Sequence, residues 1–216
     1  ASLALVEKSK KYSLQEACEL VKKTATAKCD ESIDVSFHLN INPKQADQQL
    51  RGTIVLPHGN GKTVKVLAIT DKVSEATAAG ADFVGQQDML DKIQKENWFD
   101  FDVIVATPNM MGLLGRMGRV LGPKGLMPNP KSGTVTPDIG NAIKEIKNGK
   151  ITYRNDKDGN VAVNFGKASF TAEKLLDNLK AVIETINKVK PASVKGTYIL
   201  SATISSTFGP AIKVNL

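Results

Sequence analysis

Four hydroxyl side chains, Ser201, Thr203, Ser205 and Thr207, occupy every second position near the C-terminus. On a β-strand this spacing puts them on one face, about 7 Å apart. A hydroxyl donates and accepts, so such a row can meet ribose 2′-OH groups and phosphate oxygens. The turn Thr207-Phe208-Gly209-Pro210 ends the row with an aromatic side chain and a close-approach glycine. Other alternating segments add Ser32, Asp34, Arg154 and Asp156 on their polar sides, and Lys28 and Lys157 lie just outside those strands. Small polar groups rimmed by cations suit the shallow minor groove of folded RNA. A plain solvated sheet face is the competing reading; the turn, with Phe208 read as an exposed aromatic, favours the RNA reading, and a core place for Phe208 is the alternative.

Other chemistries fit less well. HGNGKT carries the Gly-Lys-Thr tail of a nucleotide phosphate-binding loop, but the glycine required five residues before Gly61 is Leu56. The threonine is followed by the strand-like VKVLAIT, where that motif needs a helix N-terminus. Gly112, Gly115 and Gly118 recur every third residue, which is not a dinucleotide fingerprint. Two histidines, His38 and His58, and two cysteines, Cys18 and Cys29, give no metal-ligand spacing and no catalytic triad. No cofactor and no metal are expected.

The segment from Met110 to Pro137 contains no acidic residue but six glycines, four prolines, Arg116, Arg119, Lys124 and Lys131. It reads as a rigid surface loop without helix or sheet that tolerates or seeks phosphate. A net charge of +7 favours a polyanionic partner. Charge alone does not choose between RNA, DNA and an anionic membrane. The opening ASLALVEKSKKYS is too short and charged for a signal peptide, and no apolar run approaches a membrane span, so a soluble cytoplasmic protein is expected.

The elements that must position these groups follow from periodicity. Ser13 and Glu16 form a capping box for a helix to about Lys23. SIDVSFHLNI alternates strictly, with Ile33, Val35, Phe37, Leu39 and Ile41 on its buried side. VKVLAIT and FDVIVATP are apolar on both faces and alternate with helical stretches, the grammar of a parallel sheet covered on both sides. A helix opens at Pro137 and stops at Gly149. Alternation then returns: ITYRND and VAVNF flank the turn Lys157-Asp158-Gly159-Asn160 and predict a hairpin. Thr171 caps a long amphipathic helix, and TYILSATISST is the last predicted strand, with Tyr198, Leu200, Ala202 and Ile204 facing inward. The two ends share a style that the middle lacks. The fold class expected is a discontinuous α+β RNA-binding domain, residues 1–60 with 150–216, carrying an inserted Rossmann-like α/β domain with a parallel sheet, residues 61–149. Two chain crossings between lobes would permit hinge motion.

LPHGNGK, FDVIVATP, GRVLGPKGLMPNPKSGTVTP, ITYRNDKDGNV, GKASF and ISSTFGP, in this order, resemble the ribosomal protein L-one family of bacterial type. The resemblance covers essentially the whole chain. It implies a non-enzymatic constituent of the large ribosomal subunit that binds rRNA to form the mobile stalk at the tRNA exit site. It also implies assistance to the release of deacylated tRNA and repression of its own operon mRNA, by a protein that is monomeric when free. The family's RNA-contacting positions match Lys28, Ser32, Ser201, Arg154, Asn155, Asp156, Lys157, Thr207, Phe208 and Gly209. Arg116, Arg119, Lys124 and Lys131 are assigned a secondary RNA contact. Cys29 stands where the family often has phenylalanine, and Phe208 where it has methionine. The alternatives are a nucleotide-binding α/β enzyme and a DNA-binding repressor. Replacing Thr207 by Ala or Val is expected to weaken RNA binding and leave folding nearly unchanged.

Overall fold

A computed structural model describes residues 2–7 and 9–216, with the side chains of Ser2 and Ala46 left aside; Ala1 and Lys8, both within the domain predicted from residue 1, lie outside the described residues. The elements in chain order are α1 (Leu14–Thr24), β1 (Ser32–Leu39), β2 (Arg51–Val55), β3 (Val66–Ile69), α2 (Val73–Ala78), β4 (Phe83–Gly85), α3 (Gln87–Glu96), β5 (Val103–Ala106), α4 (Met111–Arg116), α5 (Gly118–Leu121), α6 (Ile139–Lys147), β6 (Lys150–Arg154), β7 (Asn160–Lys167), α7 (Ala172–Lys188), β8 (Ile199–Ser206) and β9 (Ile212–Val214). They group into two compact units, Ala1–Gly61 with Ile151–Leu216, and Lys62–Lys150.

In the first unit an antiparallel sheet runs in the order β7-β1-β8-β9. Alternation in β1 sends Ile33, Val35, Phe37 and Leu39 into the core, each at most 2 % exposed. They meet Cys18 and Val21 of α1 and Leu175, Leu179 and Val182 of α7. The capping box is made: Glu16 N–H donates to Ser13 Oγ at 3.3 Å and Ser13 N–H to Glu16 Oε2 at 3.1 Å. Thr171 caps α7 by accepting from Lys174 N–H. With both helices on one side, the opposite face of the sheet remains uncovered.

In the second unit β3 is flanked by β4 and β5, all parallel. Leu67 and Ile69 pack towards α3, α4 and α5, while Val66 and Ala68 pack towards α2 and α6. All four are fully buried, which is why this strand reads as a continuous apolar run.

Four sequence expectations are corrected. ITYRND and VAVNF do not form a hairpin ladder: β6 pairs with β2, a strand the sequence reading missed, and an isolated bridge from Asn155 to Val161 links the end of that segment to β7. Tyr153, 3 % exposed, fixes that choice by lying over Gly52, where an added Cβ would come within 2.7 Å of its hydroxyl. Leu200 does not face inward. His38 pairs with Ser201 but Leu39 with Ile199, so the register skips Leu200 and the bulge turns it outward to 48 % exposure. The strand containing it is not the last, because β9 follows. Finally, the acid-free segment is not all loop. Leu114, Met117 and Leu121 are buried at helical spacing, and this burial holds α4 and α5 despite three glycines.

Candidate nucleic-acid interface

The uncovered sheet face is a grid of small polar groups. Across β7, β1 and β8, Asn160, His38 and Ser201 form one row; Ala162, Ser36 and Thr203 form the next, extended by Lys213 on β9; Asn164, Asp34 and Ser205 form the third. Directly opposed residues share a face of an antiparallel sheet, so these side chains project together. The side-chain hydroxyls of Ser36, Ser201, Thr203 and Ser205 make no hydrogen bond within the described residues, leaving four hydroxyls with both capacities open. Asp34 accepts from Asn164 Nδ2 at 2.9 Å, and His38 Nδ1 lies 2.8 Å from Asn160 Oδ1. Lys167 closes the end of the grid by donating to Ser32 Oγ at 2.9 Å.

Sequence reasoning placed Ser32, Asp34, Ser201, Thr203, Ser205 and Thr207 here and missed Ser36, Asn160, Asn164, Lys167 and Lys213. The alternation of Asn160, Ala162 and Asn164 with Val161, Val163 and Phe165 was a readable signal for the first two.

One end of the grid is bounded by the turn after β8. Thr207 bonds to Ser32 at the edge of β1 three times: its N–H donates to the Ser32 carbonyl at 3.1 Å, its Oγ1 accepts the Ser32 N–H at 3.1 Å, and the hydroxyl donates to the same carbonyl at 3.3 Å. The hydroxyl therefore also bonds within the fold. Phe208 is 74 % exposed, a large apolar side chain held out into solvent. Its N–H donates to Glu31 Oε2 at 3.0 Å, and Glu31 Oε1 accepts the Ala27 N–H at 2.9 Å. One carboxylate, 2 % exposed, thus links the loop bearing Lys28 to the turn bearing Phe208. Burial pushes the Glu31 carboxyl up, but the backbone donors Ala27 and Phe208, with smaller help, outweigh it and hold the group below its ordinary value. Gly209 sits where a Cβ would come within 2.4 Å of Ser206 Oγ, so the turn passes too close to β8 for a side chain.

At the segment between β6 and β7 the four predicted residues divide into two kinds. Asn155 Oδ1 accepts the Leu50 N–H at 2.8 Å, and its Nδ2 donates to the Asp156 carbonyl at 2.9 Å. Asp156 accepts from the Asp158 and Asn160 backbone N–H groups and from Asn160 Nδ2. Those hydrogen bonds, Asn160 first, hold its carboxyl below the ordinary range. These two side chains shape the turn. The side chains of Arg154 and Lys157 are exposed and bond to nothing among the described residues. A cleft of about 410 Å³ opens beside them, lined also by Pro43, Gln49, Leu50 and Arg51.

Arg116, Arg119, Lys124 and Lys131 lie in the other unit, all exposed. Lys124 Nζ stands 4.1 Å from the Phe99 ring centroid. No group of three His, Cys, Asp or Glu side chains among the described residues could hold a metal, and no helix among them is long and apolar enough to cross a membrane.

A profile of the Ribosomal protein L1p/L10e family matches residues 21–210. The large ribosomal subunit protein uL1 of Mesoplasma florum is 59% identical over 213 residues, covering 98% of this chain and 94% of the relative. The chain belongs to the Ribosomal protein L1p/L10e family.

Proposed function

We propose that this ribosomal L1-family chain grips rRNA with the hydroxyl grid of its discontinuous unit. As a family member it is a structural constituent of the large ribosomal subunit, not an enzyme, and its place is the ribosome in the cytoplasm. The observation that carries the reading is the set of four hydroxyls, Ser36, Ser201, Thr203 and Ser205, without a partner among the described residues, on the sheet face opposite α1 and α7. A pleated surface of such groups matches the spacing of 2′-OH and phosphate oxygens along a shallow minor groove. Asp34 supplies an acceptor that phosphate would avoid but a ribose hydroxyl or base amine would take. Lys28, Lys167 and Lys213 supply sequence-independent attraction, and Phe208 supplies a flat apolar face for a ribose or base.

The same surface would serve a structured element in the chain's own operon mRNA, because recognition by shape does not depend on which transcript presents the shape. The inserted unit, with Arg116, Arg119, Lys124 and Lys131, would make a secondary contact with rRNA or with deacylated tRNA leaving the exit site. The stalk would be mobile, and the free chain monomeric.

Footprinting of the full chain on total rRNA tests the core of the reading, which predicts one compact protected stem region. A Thr203→Val, Ser205→Val double variant should fold normally and lose about 2–3 kcal/mol of binding, from two polar contacts left unmade at a desolvated interface. Binding unchanged in that variant would remove the grid from the site. Removing Lys62 to Gly149 with a short linker should leave a chain that still binds the stem.

A further inference from the structure

We propose that Asp30 and Ser169 are positioning residues for RNA binding: together they fix one foot of the bend that carries Lys28, so that its ammonium meets the RNA already in place. The inference rests on the RNA-binding reading above, in which Lys28 is a contact, and adds two residues that act through it.

The bend lies between the end of α1 and the start of β1. Lys28 and Cys29 form its tip; both are exposed, and neither side chain bonds to anything among the described residues. The residues on either side of the tip are held by carboxylates. Before it, the Ala27 N–H donates to Glu31 Oε1 at 2.9 Å. After it, both oxygens of Asp30 are engaged: Oδ1 accepts the Ser169 N–H and Oδ2 the Ser169 hydroxyl, each at 2.9 Å and across 139 positions of sequence. Two parallel hydrogen bonds to one carboxylate restrain its direction as well as its distance.

The segment Gly166–Phe170, GKASF, serves this contact residue by residue. An added Cβ at Gly166 would come within 2.5 Å of Leu175 Cδ2, so the glycine lets α7 close on the strand. Lys167 donates to the Asp30 carbonyl at 3.4 Å and to Ser32 Oγ at 2.9 Å. The Ala168 N–H donates to the Glu31 carbonyl at 2.9 Å, which carries the β1–β7 pairing one step beyond Ser32 and Lys167. The Phe170 N–H donates to the Lys167 carbonyl at 3.0 Å and closes the turn, while the Phe170 carbonyl accepts from Lys22 Nζ in the last turn of α1. The foot of the bend is thereby tied to α1, β1 and β7 at once.

Asp30 and Ser169 are exposed, and substitutions at such surface sites change stability little. What their contact supplies is order: a tip held in its bound shape does not have to be ordered by the RNA. A carboxylate two residues from a cation that meets phosphate also weakens the attraction to RNA. The paired hydrogen bonds from Ser169 give that carboxylate a structural reason to be there.

The test measures affinity of the full chain for the rRNA stem fragment defined by footprinting, at one fixed salt concentration, and amide hydrogen exchange of the free chain. Wild type is compared with Ser169→Ala, Ser169→Thr, Asp30→Ala, Lys28→Gln, the Ser169→Ala, Lys28→Gln pair and the Thr203→Val, Ser205→Val variant. Ser169→Ala should bind about three- to tenfold more weakly, with faster exchange confined to residues 27–30 and a thermal midpoint within about 2 °C of wild type. Ser169→Thr keeps the hydroxyl and should bind like wild type. Asp30→Ala should bind more weakly, although charge alone predicts tighter binding for a chain with one negative group fewer. In the Lys28→Gln background, Ser169→Ala should cost less than about twofold, because the side chain it positions is already gone. Additive losses would make Ser169 an RNA contact in its own right, and tighter binding by Asp30→Ala would reduce Asp30 to a charge; either overturns the proposal. If Ser169→Ala keeps wild-type affinity while Lys28→Gln and the grid variant lose binding, the positioning role does not exist and the RNA reading stands. If Lys28→Gln and the grid variant both bind like wild type, the RNA reading beneath the proposal fails with it.

Discussion

Glu31 accepts the amide of Phe208 at 3.0 Å, across 177 positions of sequence, while its other oxygen holds the amide of Ala27. A buried carboxylate with two backbone donors fixes the relative position of the Lys28 loop and the Thr207–Gly209 turn. Glu31→Ala should leave two half-buried N–H groups without their acceptor and lower stability by about 1–2 kcal/mol. Glu31→Gln should be milder in stability, because one oxygen remains. Both should weaken RNA binding although Glu31 itself is covered. Urea unfolding and filter binding on the same preparations check both parts.

The same group makes stability depend on pH. Its carboxyl in the folded chain lies below its ordinary value, so the unfolded chain takes up a proton first as pH falls. The stabilisation is therefore complete above the ordinary glutamate range and is lost as pH falls through the folded-state value. Wild type should lose midpoint temperature below about pH 4.5 more steeply than Glu31→Gln. Parallel curves for the two proteins would show that Glu31 carries no such linkage.

Thr207 closes the β1–β8 edge through its hydroxyl as well as its backbone. Thr207→Val keeps the shape and removes the acceptor for the Ser32 N–H. A loss of about 0.5–1.5 kcal/mol in folding is expected, together with weaker RNA binding. Urea titration measures the first and filter binding the second. A variant as stable as wild type would mean that solvent replaces the hydroxyl without cost.

Cys18 is fully buried and its thiol is pushed up to about 12 by desolvation, with a smaller contribution from Glu19. Cys29 is exposed beside Lys28. Native protein should therefore show one thiol reacting promptly with a neutral alkylating reagent and one only on unfolding. Bound rRNA fragment should slow the prompt reaction several-fold. Mass spectrometry of tryptic peptides identifies the site, and an unchanged Cys29 rate in the complex would place RNA away from this loop.

Asn178, fully buried in α7, donates to the carbonyls of Gly59 and Phe165 at 2.8 Å each and accepts the His58 N–H at 3.1 Å. Asn178→Leu should destabilise the chain by about 3 kcal/mol or more, since three backbone groups lose their partner at once. A thermal midpoint within 2–3 °C of wild type, corresponding to about 1 kcal/mol in a chain of this size, would contradict this.

Much of the fold was legible in the order of residues. Period-two alternation assigned Ile33, Val35, Phe37 and Leu39 to the core and Ser201, Thr203 and Ser205 to the open face. The capping signals at Ser13 and Thr171 set the starts of α1 and α7. Continuous apolar runs announced the parallel sheet, and the glycine-proline segment with its flanking motifs announced the family. These signals are local: they depend on residues a few positions apart, and burial or hydrogen bonding within one turn or strand decides them.

What tertiary structure decided was which elements lie side by side. Alternation says which way Asn164 points, not that it stands beside Asp34. Helical spacing said nothing of β2, whose five residues are stabilised by Tyr153 and Asn155 a hundred positions away. Register across distant strands set the bulge that turns Leu200 outward, and long-range hydrogen bonds made Glu31 the tie between two loops. The pairing of β2 with β6 belongs to the same class, because cross-strand contact is fixed by packing and register of the whole unit and leaves no periodic trace in the chain.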